Sequence, residues 1–200
     1  MRFLLLAITL LISATCFATP KEIIIIRHGD KLPQKSPGVT LSAKGQLRAE
    51  ALVPYFLKTF GRPDFIFVSK PSAKHSKSHS FREIQTVAPL ANRLTQLEHK
   101  AFPINYPYRA PNYANLADLL LSNVKYDNKL ILVCWDHRVI PKLAKLLGVN
   151  QKLTAWPKED FDSVYIIKYT LSGKVRSFKI LNHQYSVPNI NWKRERKETE

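Results

Sequence analysis

The sequence predicts a single three-layer α/β/α domain with a mostly parallel central sheet and an antiparallel hairpin at one edge. Short apolar runs typical of buried strands occupy Ile23–Ile26, Phe65–Ser69 and Leu130–Trp135. Segments with helical spacing of apolar residues separate these runs, and this alternation is typical of parallel sheets. Near the end, two strand-like segments flank Leu171-Ser172-Gly173-Lys174, which predicts the hairpin.

The first strand and the helix after it are marked by local signals. The run Ile23–Ile26 is short, β-branched and soon followed by Gly29, which favours a strand over a helix. A polar loop at 31–40 comes next, and Ser42 then stands in an N-cap position ahead of helical spacing. We expect Pro54 to kink or split that helix.

The chain after residue 70 continues the alternation of predicted strands and helices. A cationic loop at 70–80 leads into a helix expected from about Phe81 to Leu94. Segment 101–112 holds three prolines and three aromatics without periodicity, so it either covers a pocket or connects elements. Two further helices are expected, one at Leu116–Leu120 and one at Ile140–Leu147 before Gly148.

The first eighteen residues have the pattern of a secretory signal. Arg2 precedes an apolar stretch at Phe3–Ile12, and Cys16-Phe17-Ala18 ends it, which predicts cleavage before Thr19 and export to the periplasm or the medium. The stretch is too short for a comfortable membrane span, so no stable insertion is expected after cleavage. The expected organisation is a signal peptide at 1–18, one domain at 19–190 and a charged tail at 191–200.

The two cysteines bear on processing. Cys16 leaves open a second route, in which it becomes a lipidated first residue. Cleavage before Thr19 would leave Cys134 alone, without an intramolecular disulfide partner, and a cysteine inside a buried strand is most simply a small core residue.

The chain is strongly basic. Its net charge is +16, and removal of residues 1–18 takes away only Arg2, leaving +15. Such a field attracts phosphorylated metabolites, nucleic acid, acidic lipid or polyanionic polymers, or it serves solubility alone. Nucleic acid is not expected, because no recognition-helix motif and no basic run interleaved with aromatics is present.

Two predicted strands end in histidine motifs. Arg27-His28-Gly29-Asp30 follows the first strand, and Asp136-His137-Arg138 follows the third. Because the carboxyl ends of parallel strands meet at one edge of a sheet, we expect both histidines to face one pocket.

Together with Arg82-Glu83-Ile84-Gln85-Thr86, these motifs resemble the histidine phosphatase superfamily over essentially the whole chain after residue 18. The resemblance implies a phosphoglycerate mutase-like fold and phosphomonoester hydrolysis without a cofactor. In that family the first histidine, here His28, is the nucleophile and forms a phosphohistidine that water hydrolyses. Arg27 and Arg82 would clamp the phosphoryl group with planar guanidinium forks, and His137 would donate to a phosphoryl oxygen.

The first motif extends toward the acid-phosphatase branch of that family. Asp30-Lys31-Leu32-Pro33 places Lys31 where the Arg-His-Gly-x-Arg-x-Pro pattern has arginine, which keeps the charge but loses the bidentate fork. Lys31 is therefore expected to bind substrate with Arg27, Arg82 and His137. The chain is too short for the large inserted helical domain of that branch.

The general acid that protonates the leaving oxygen is not assigned by the motifs. Asp136, beside His137, is the first expectation, with a helix N-cap as its alternative role, and Asp30 is the second. In the mutase-like branch a glutamate lies between the second arginine and the second histidine. The candidates there are Glu83, Glu98 and Asp118.

The cationic loop and Trp135 are two further features of the sequence. The cationic loop holds His75, His79, Lys70, Lys74 and Lys77, and it either lines the mouth of the pocket or is solvated. No metal is expected, because no cysteine or carboxylate cluster accompanies these histidines. Trp135 is expected in the core rather than as a substrate platform.

The leading hypothesis is an exported phosphatase acting on a phosphorylated small molecule or polymer. A mutase fits less well, because a signal peptide takes the chain away from glycolytic intermediates. The alternative from another class is a catalytically impaired phosphatase-fold module that binds a phosphorylated or polyanionic ligand. The sequence leaves the oligomeric state open.

Overall fold

The computed structural model describes residues 19–32, 38–71 and 80–182. Within these ranges the chain forms six strands and four α-helices in alternating order. The elements are β1 (Glu22–Arg27), α1 (Ala43–Thr59), β2 (Phe65–Val68), α2 (Arg82–Glu98), β3 (Ile104–Asn105), α3 (Tyr113–Ser122), β4 (Leu130–Trp135), α4 (Ile140–Leu146), β5 (Val164–Tyr169) and β6 (Val175–Leu181).

One sheet joins all six strands in the order β3-β2-β4-β1-β5-β6. The strands from β3 to β1 run parallel, whereas β5 is antiparallel to β1 and to β6. This arrangement confirms the predicted fold class. Because Arg27 is paired with Trp135 in the register of β1 and β4, the two histidine motifs leave the sheet side by side.

Helices cover both faces of the sheet. Successive strand residues point to opposite faces, so Ile24 and Ile26 pack beneath α1 and α2, while Ile23 and Ile25 pack beneath α3 and α4. All four isoleucines are fully buried. Full burial of such a side chain stabilises the fold by roughly 1.5–3 kcal/mol, so β1 is a rigid support for the residues that follow it.

The helix predicted after Ser42 is confirmed, and its cap is a hydrogen bond from the Gly45 N–H to the Ser42 hydroxyl at 3.1 Å. Pro54 does not split this helix, which is continuous. Pro54 lies on the exposed face, where the carbonyl that its missing N–H leaves unpaired can be hydrated.

Two boundaries differ from the prediction. The helix expected to end near Leu94 continues through Glu98 and stops at His99, which has a left-handed φ of 53°. Segment 101–112 is not all loop, since it contains the two-residue strand β3 and a short 3-10 turn at Ala110–Asn112. A strand of two residues is too short to show the alternation that predicts strands.

Other expectations hold. Trp135 and Cys134 are fully buried, and the Trp135 indole donates to the Ala110 carbonyl at 3.1 Å. The hairpin forms, and α4 ends before Gly148, which has φ +94°. Across the described ranges no helix is both long enough and apolar enough to cross a membrane. Residues 1–18 with Cys16, and the tail at 191–200, lie outside the described residues.

Candidate active site

His28 lies directly beyond β1 and is nearly buried, with 7% of its surface exposed. Its Nδ1 is 2.7 Å from the Gly29 carbonyl oxygen. Because a carbonyl only accepts hydrogen bonds, Nδ1 must carry the proton. The other ring nitrogen, Nε2, then keeps a free electron pair, which is the form of imidazole that acts as a nucleophile.

The surroundings of His28 also keep the ring uncharged. Burial lowers the pKa of His28 to about 4, and the positive charges of Arg27 and Arg82 act in the same direction. The hydrogen bond to Gly29 and the carboxylate of Asp136 oppose this shift without cancelling it. His28 is therefore neutral at pH values above about 4.

The first turns of α1 and α2 hold the loop that carries His28. The Gly29 N–H donates to the Thr86 hydroxyl at 2.8 Å, and the Ser42 N–H donates to the Asp30 carbonyl at 3.0 Å. At Gly45, a Cβ would lie only 2.2 Å from the Asp30 carbonyl oxygen, so only glycine allows this approach. The loop is thus fixed from two sides.

Arg27 is almost fully buried, and a later segment of the chain orients it. Its Nη1 donates to the carbonyls of Lys158 at 2.5 Å and Asp160 at 2.9 Å, with Pro157 at 3.4 Å. Its guanidinium carbon lies 3.8 Å from the centre of the Phe161 ring.

The Arg27 side chain still has a donor to offer. Its Nε is buried without a hydrogen-bond partner among the described residues. Burial lowers the pKa of Arg27 to about 10, so the group remains cationic at neutral pH. A buried, charged donor without an acceptor is an unfavourable arrangement that an anion beside it would relieve.

Arg82 opens α2 and is held by the loop that precedes α1. Its guanidinium donates to the Thr40 carbonyl at 3.1 Å, to the Ser80 hydroxyl at 3.3 Å and to the Gly38 carbonyl. Its charge nevertheless lowers the pKa of His28, so it contributes to the positive field around that ring. Arg27 and Arg82 thus flank His28 from different elements.

His137 follows β4, beside His28, and its buried Nδ1 has no hydrogen-bond partner among the described residues. Its Nδ1 is 3.4 Å from the Asp136 Oδ1. Burial lowers the pKa of His137, and the charges of Arg27, Lys31 and Lys158 lower it further. The structure therefore brings both histidine motifs and the two lysines to one strongly positive region.

Asp136, the first expectation for the general acid, is engaged by Arg138. The Arg138 Nε lies 2.9 and 3.2 Å from the two carboxylate oxygens, and its Nη2 contacts one of them. The Arg138 N–H also donates to Asp136 Oδ1 at 3.0 Å, a local turn rather than a cap on α4, whose N-cap is Val139.

Asp30, the second expectation, is held in a buried ion network. The Arg48 Nε lies 2.5 Å from Asp30 Oδ2, and the same arginine reaches Asp162 Oδ2 at 3.2 Å. Lys44 adds a weaker contact at 3.6 Å. This network ties the His28 loop to the segment that holds Arg27.

The acidic candidates between Arg82 and His137 differ in their surroundings. Glu98 ends α2 in an ion pair with Arg62, and Asp118 is exposed on α3. Glu83 is buried with 8% exposed, and burial raises its pKa to about 7. A hydrogen bond with its own backbone opposes this shift, as do the charge of Arg82 and the nearby Ser69 side chain, while the negative charge of Asp136 raises the pKa further.

Sequence reasoning missed the residues that orient Arg27 and Asp30. Phe161, the carbonyls of 157–160 and Arg48 belong to segments with no motif, and only Arg48 sits at a regular helical position. Pro33, Lys74, His75, Lys77 and His79 lie outside the described residues. Within those that are described, no group of three or more histidines, cysteines and carboxylates could hold a metal ion.

Comparison with known proteins supports the fold. No protein-family model matches the sequence, and the search of curated proteins gave no match. The structure is similar to that of the protein histidine phosphatase SixA complexed with tungstate, at 14% identity and a TM-score of 0.54, over 80% of this chain and 96% of that one. It is also similar to a native mycobacterial glucosyl-3-phosphoglycerate phosphatase, at 14% identity and a TM-score of 0.51, over 83% of this chain and 99% of that one. The chain therefore shares the fold of these two phosphatases.

Proposed function

We propose that this chain is a phosphoric monoester hydrolase that acts through a phosphohistidine on His28. The observation that carries the proposal is the state of that ring, which is neutral, has Nε2 unprotonated and is set between two arginines at a strand end. A merely structural buried histidine has no need of flanking cations, because they disfavour its charged form without adding a contact. Beside a nucleophile, they stabilise the transferring phosphoryl group.

In the proposed reaction, Nε2 attacks phosphorus in line with the leaving oxygen. Negative charge spreads over the phosphoryl oxygens, and the unpartnered Arg27 Nε supplies a donor for one of them. His137 and Arg82 complete the positive surroundings. Water then attacks the phosphohistidine and releases phosphate.

The proposed substrate is a phosphorylated small molecule or polymer. Lys31 and Lys158 are exposed, yet both act on the pKa of His137, so they lie near the reacting groups and in contact with solvent. Cations in that position favour substrates that carry negative charge beyond the reacting phosphate. SixA, a structural neighbour, holds tungstate, an oxyanion similar in shape to phosphate.

Export is part of the proposal, with cleavage before Thr19. The Thr19 backbone nitrogen lies 3.1 Å from Asp127 Oδ1. Cleavage there would turn this contact into an ion pair between a terminal ammonium and a carboxylate. N-terminal sequencing of the exported protein checks the site, and an intact N-terminus or a lipidated Cys16 would contradict it.

The test of the activity is phosphate release by the purified protein, without added metal, from an aryl phosphate across pH 3–8. We expect release that falls away below about pH 4, where His28 becomes protonated. His28→Ala should lose at least about 10³-fold, because it removes the nucleophile. Unchanged release in that variant would refute the assignment.

A second candidate is the impaired module that binds a phosphorylated or polyanionic ligand without turnover. One observation favours it: Arg82 donates to Gly38, Thr40 and Ser80, so part of its fork is already engaged. Binding of vanadate or phosphate without release from any ester would support this candidate over the hydrolase.

A further inference from the structure

Glu83 is a buried carboxyl group at the same strand ends as His28. It is the second residue of α2, directly after Arg82, and Ser69, directly after β2, lies close enough to lower its pKa. Its charge acts on Cys134 in β4, and the charge of Asp136 acts on Glu83. Glu83 therefore lies where β2 and β4 end.

The turn that carries Glu83 is coupled to the nucleophile. Thr86, on the next turn of α2, accepts from the Gly29 N–H at 2.8 Å and donates to the Arg82 carbonyl at 2.7 Å. The first turn of α2 and the His28 loop therefore form one hydrogen-bonded unit, and Glu83 keeps a set position relative to His28.

The surroundings of Glu83 differ from those of the other candidate acids. Asp30 is bound by Arg48, Asp136 by Arg138 and Glu98 by Arg62. In the part of the chain that the structure describes, no cation lies within ion-pair distance of Glu83. A carboxyl group clamped by a guanidinium is an acceptor, whereas one without a clamp can carry a proton and donate it.

On this geometry, we propose that Glu83 is the proton donor to the leaving oxygen, an inference that rests on the proposed phosphatase function. As His28 Nε2 forms its bond to phosphorus, the bond from phosphorus to the ester oxygen breaks and that oxygen takes the proton of Glu83. The resulting carboxylate then accepts a proton from the water that attacks the phosphohistidine. Phosphate leaves, and His28 and Glu83 return to their starting forms.

The ionisation of the two groups agrees with these roles. Burial raises the pKa of Glu83 to about 7 and lowers that of His28 to about 4. Between these values the nucleophile is neutral and the acid is protonated, which is the combination that the first step requires. A carboxyl group with only a structural role would not need to stay protonated in the pH range where His28 is neutral.

The experiment compares an alkyl phosphate, whose leaving oxygen needs a proton, with an activated aryl phosphate, which needs one much less. Glu83→Gln removes the proton and nearly keeps the shape of the side chain. Glu98→Gln is the matched control, because it makes the same change at the far end of the same helix. Values of kcat/KM are measured for both esters from pH 4 to 9, with the Tm of each variant.

We expect Glu83→Gln to lower kcat/KM for the alkyl ester by about 10²-fold or more and to change that for the aryl ester much less. The ratio of parent to variant for the alkyl ester should fall as pH rises through about 7, and this ratio cancels the ionisation of the substrate. Glu98→Gln should match the parent in every assay.

Equal losses on both esters with an unchanged Tm would make Glu83 a positioning residue and overturn the inference, as would no loss on either. If Glu83→Gln fails to fold, the parent alone decides: its alkyl activity must fall above pH 7 more steeply than its aryl activity. A parent that releases phosphate from neither ester, and no more than His28→Ala does, would instead sink the proposed function, and the inference with it.

Discussion

Two buried carboxyl groups lie near His28, and their surroundings are opposite. Asp30 is 9% exposed and is bound by Arg48 at 2.5 Å, while Glu83 is 8% exposed and has no cation within ion-pair distance in the described ranges. Because the two groups are almost equally buried, their surroundings differ mainly in the counterion that Asp30 has and that Glu83 lacks among the described residues. A buried carboxylate that is paired with a cation keeps its charge and connects two segments, whereas a buried carboxyl group without a cation favours its neutral, proton-donating form.

The partner of Asp30 gives the largest expected effect. Arg48→Met leaves the buried Asp30 and the half-buried Asp162 without the guanidinium that bridges them. We expect the free energy of unfolding to fall by about 3–5 kcal/mol, and activity should fall with it because the His28 loop loses its link to the segment that holds Arg27. Chemical denaturation at pH 7 measures the change.

The control for Arg48 is Arg62→Met, which removes the exposed arginine from its pair with Glu98. An exposed pair contributes less than about 1 kcal/mol. Equal losses in the two variants would mean that the bridge between Asp30 and Asp162 contributes no more than a surface ion pair.

For Glu83 the raised pKa predicts a contribution to stability that is lost as pH rises. Because its pKa in the folded protein, about 7, exceeds the usual 4.5, the folded state binds the proton more tightly than the unfolded state. This contribution is fully present below about pH 4.5 and is lost as pH rises through 7. The difference in free energy of unfolding between Glu83→Gln and the parent should therefore shift in favour of the variant by up to about 3 kcal/mol from pH 4 to pH 8.

Thermal unfolding of Glu83→Gln, Glu98→Gln and the parent at pH 4 and pH 8 tests this prediction. Glu98→Gln should not gain stability at pH 8, because it only removes a carboxylate from a surface ion pair. If Glu83→Gln gains no stability relative to the parent between pH 4 and pH 8, Glu83 is already ionised in the folded protein. That result would contradict the raised pKa of Glu83.

The same reasoning applies to a buried cation. Arg27→Lys keeps the charge but replaces a planar fork, held by three carbonyls, with a single ammonium. We expect vanadate to bind about tenfold more weakly, a loss of ~1.4 kcal/mol. Isothermal titration measures the affinity, and unchanged binding would exclude the Arg27 fork from the anion site.

The smallest expected effect lies at the opposite end of β1. Asp127→Asn removes the carboxylate that contacts the Thr19 nitrogen. In a chain that begins at Thr19 the loss should be below about 1 kcal/mol, because Asp127 is exposed, and it should shrink in high salt. In a chain that keeps residues 1–18, the same change should cost less, since no terminal ammonium is present.

The strand ends could be predicted because their signal is local. A β-branched run followed by glycine identifies β1, and the same alternation places β4 beside it. Two parallel strands in one sheet then bring His28 and His137 to one edge without further information.

The partners of the site could not be predicted, because they depend on contacts between distant segments. Arg27 meets the carbonyls of 157–160 about 130 positions away in the sequence, and Arg48 meets Asp162 more than 100 positions away. Backbone carbonyls have no sequence signature. The expectation that favoured Asp136 over Glu83 used distance along the chain, whereas ion pairing and burial in the folded protein distinguish the two.

The most direct test of the proposed function is to trap the phosphohistidine on His28. The purified protein is mixed with a phosphate-labelled aryl ester at pH 5, quenched in alkali within one turnover and digested, and the labelled peptide is identified by mass spectrometry. If His28 is the nucleophile, one acid-labile, alkali-stable phosphoryl group forms on His28 and is absent from His28→Ala. Label on another residue, or rapid phosphate release without labelled protein at any time point, would contradict it.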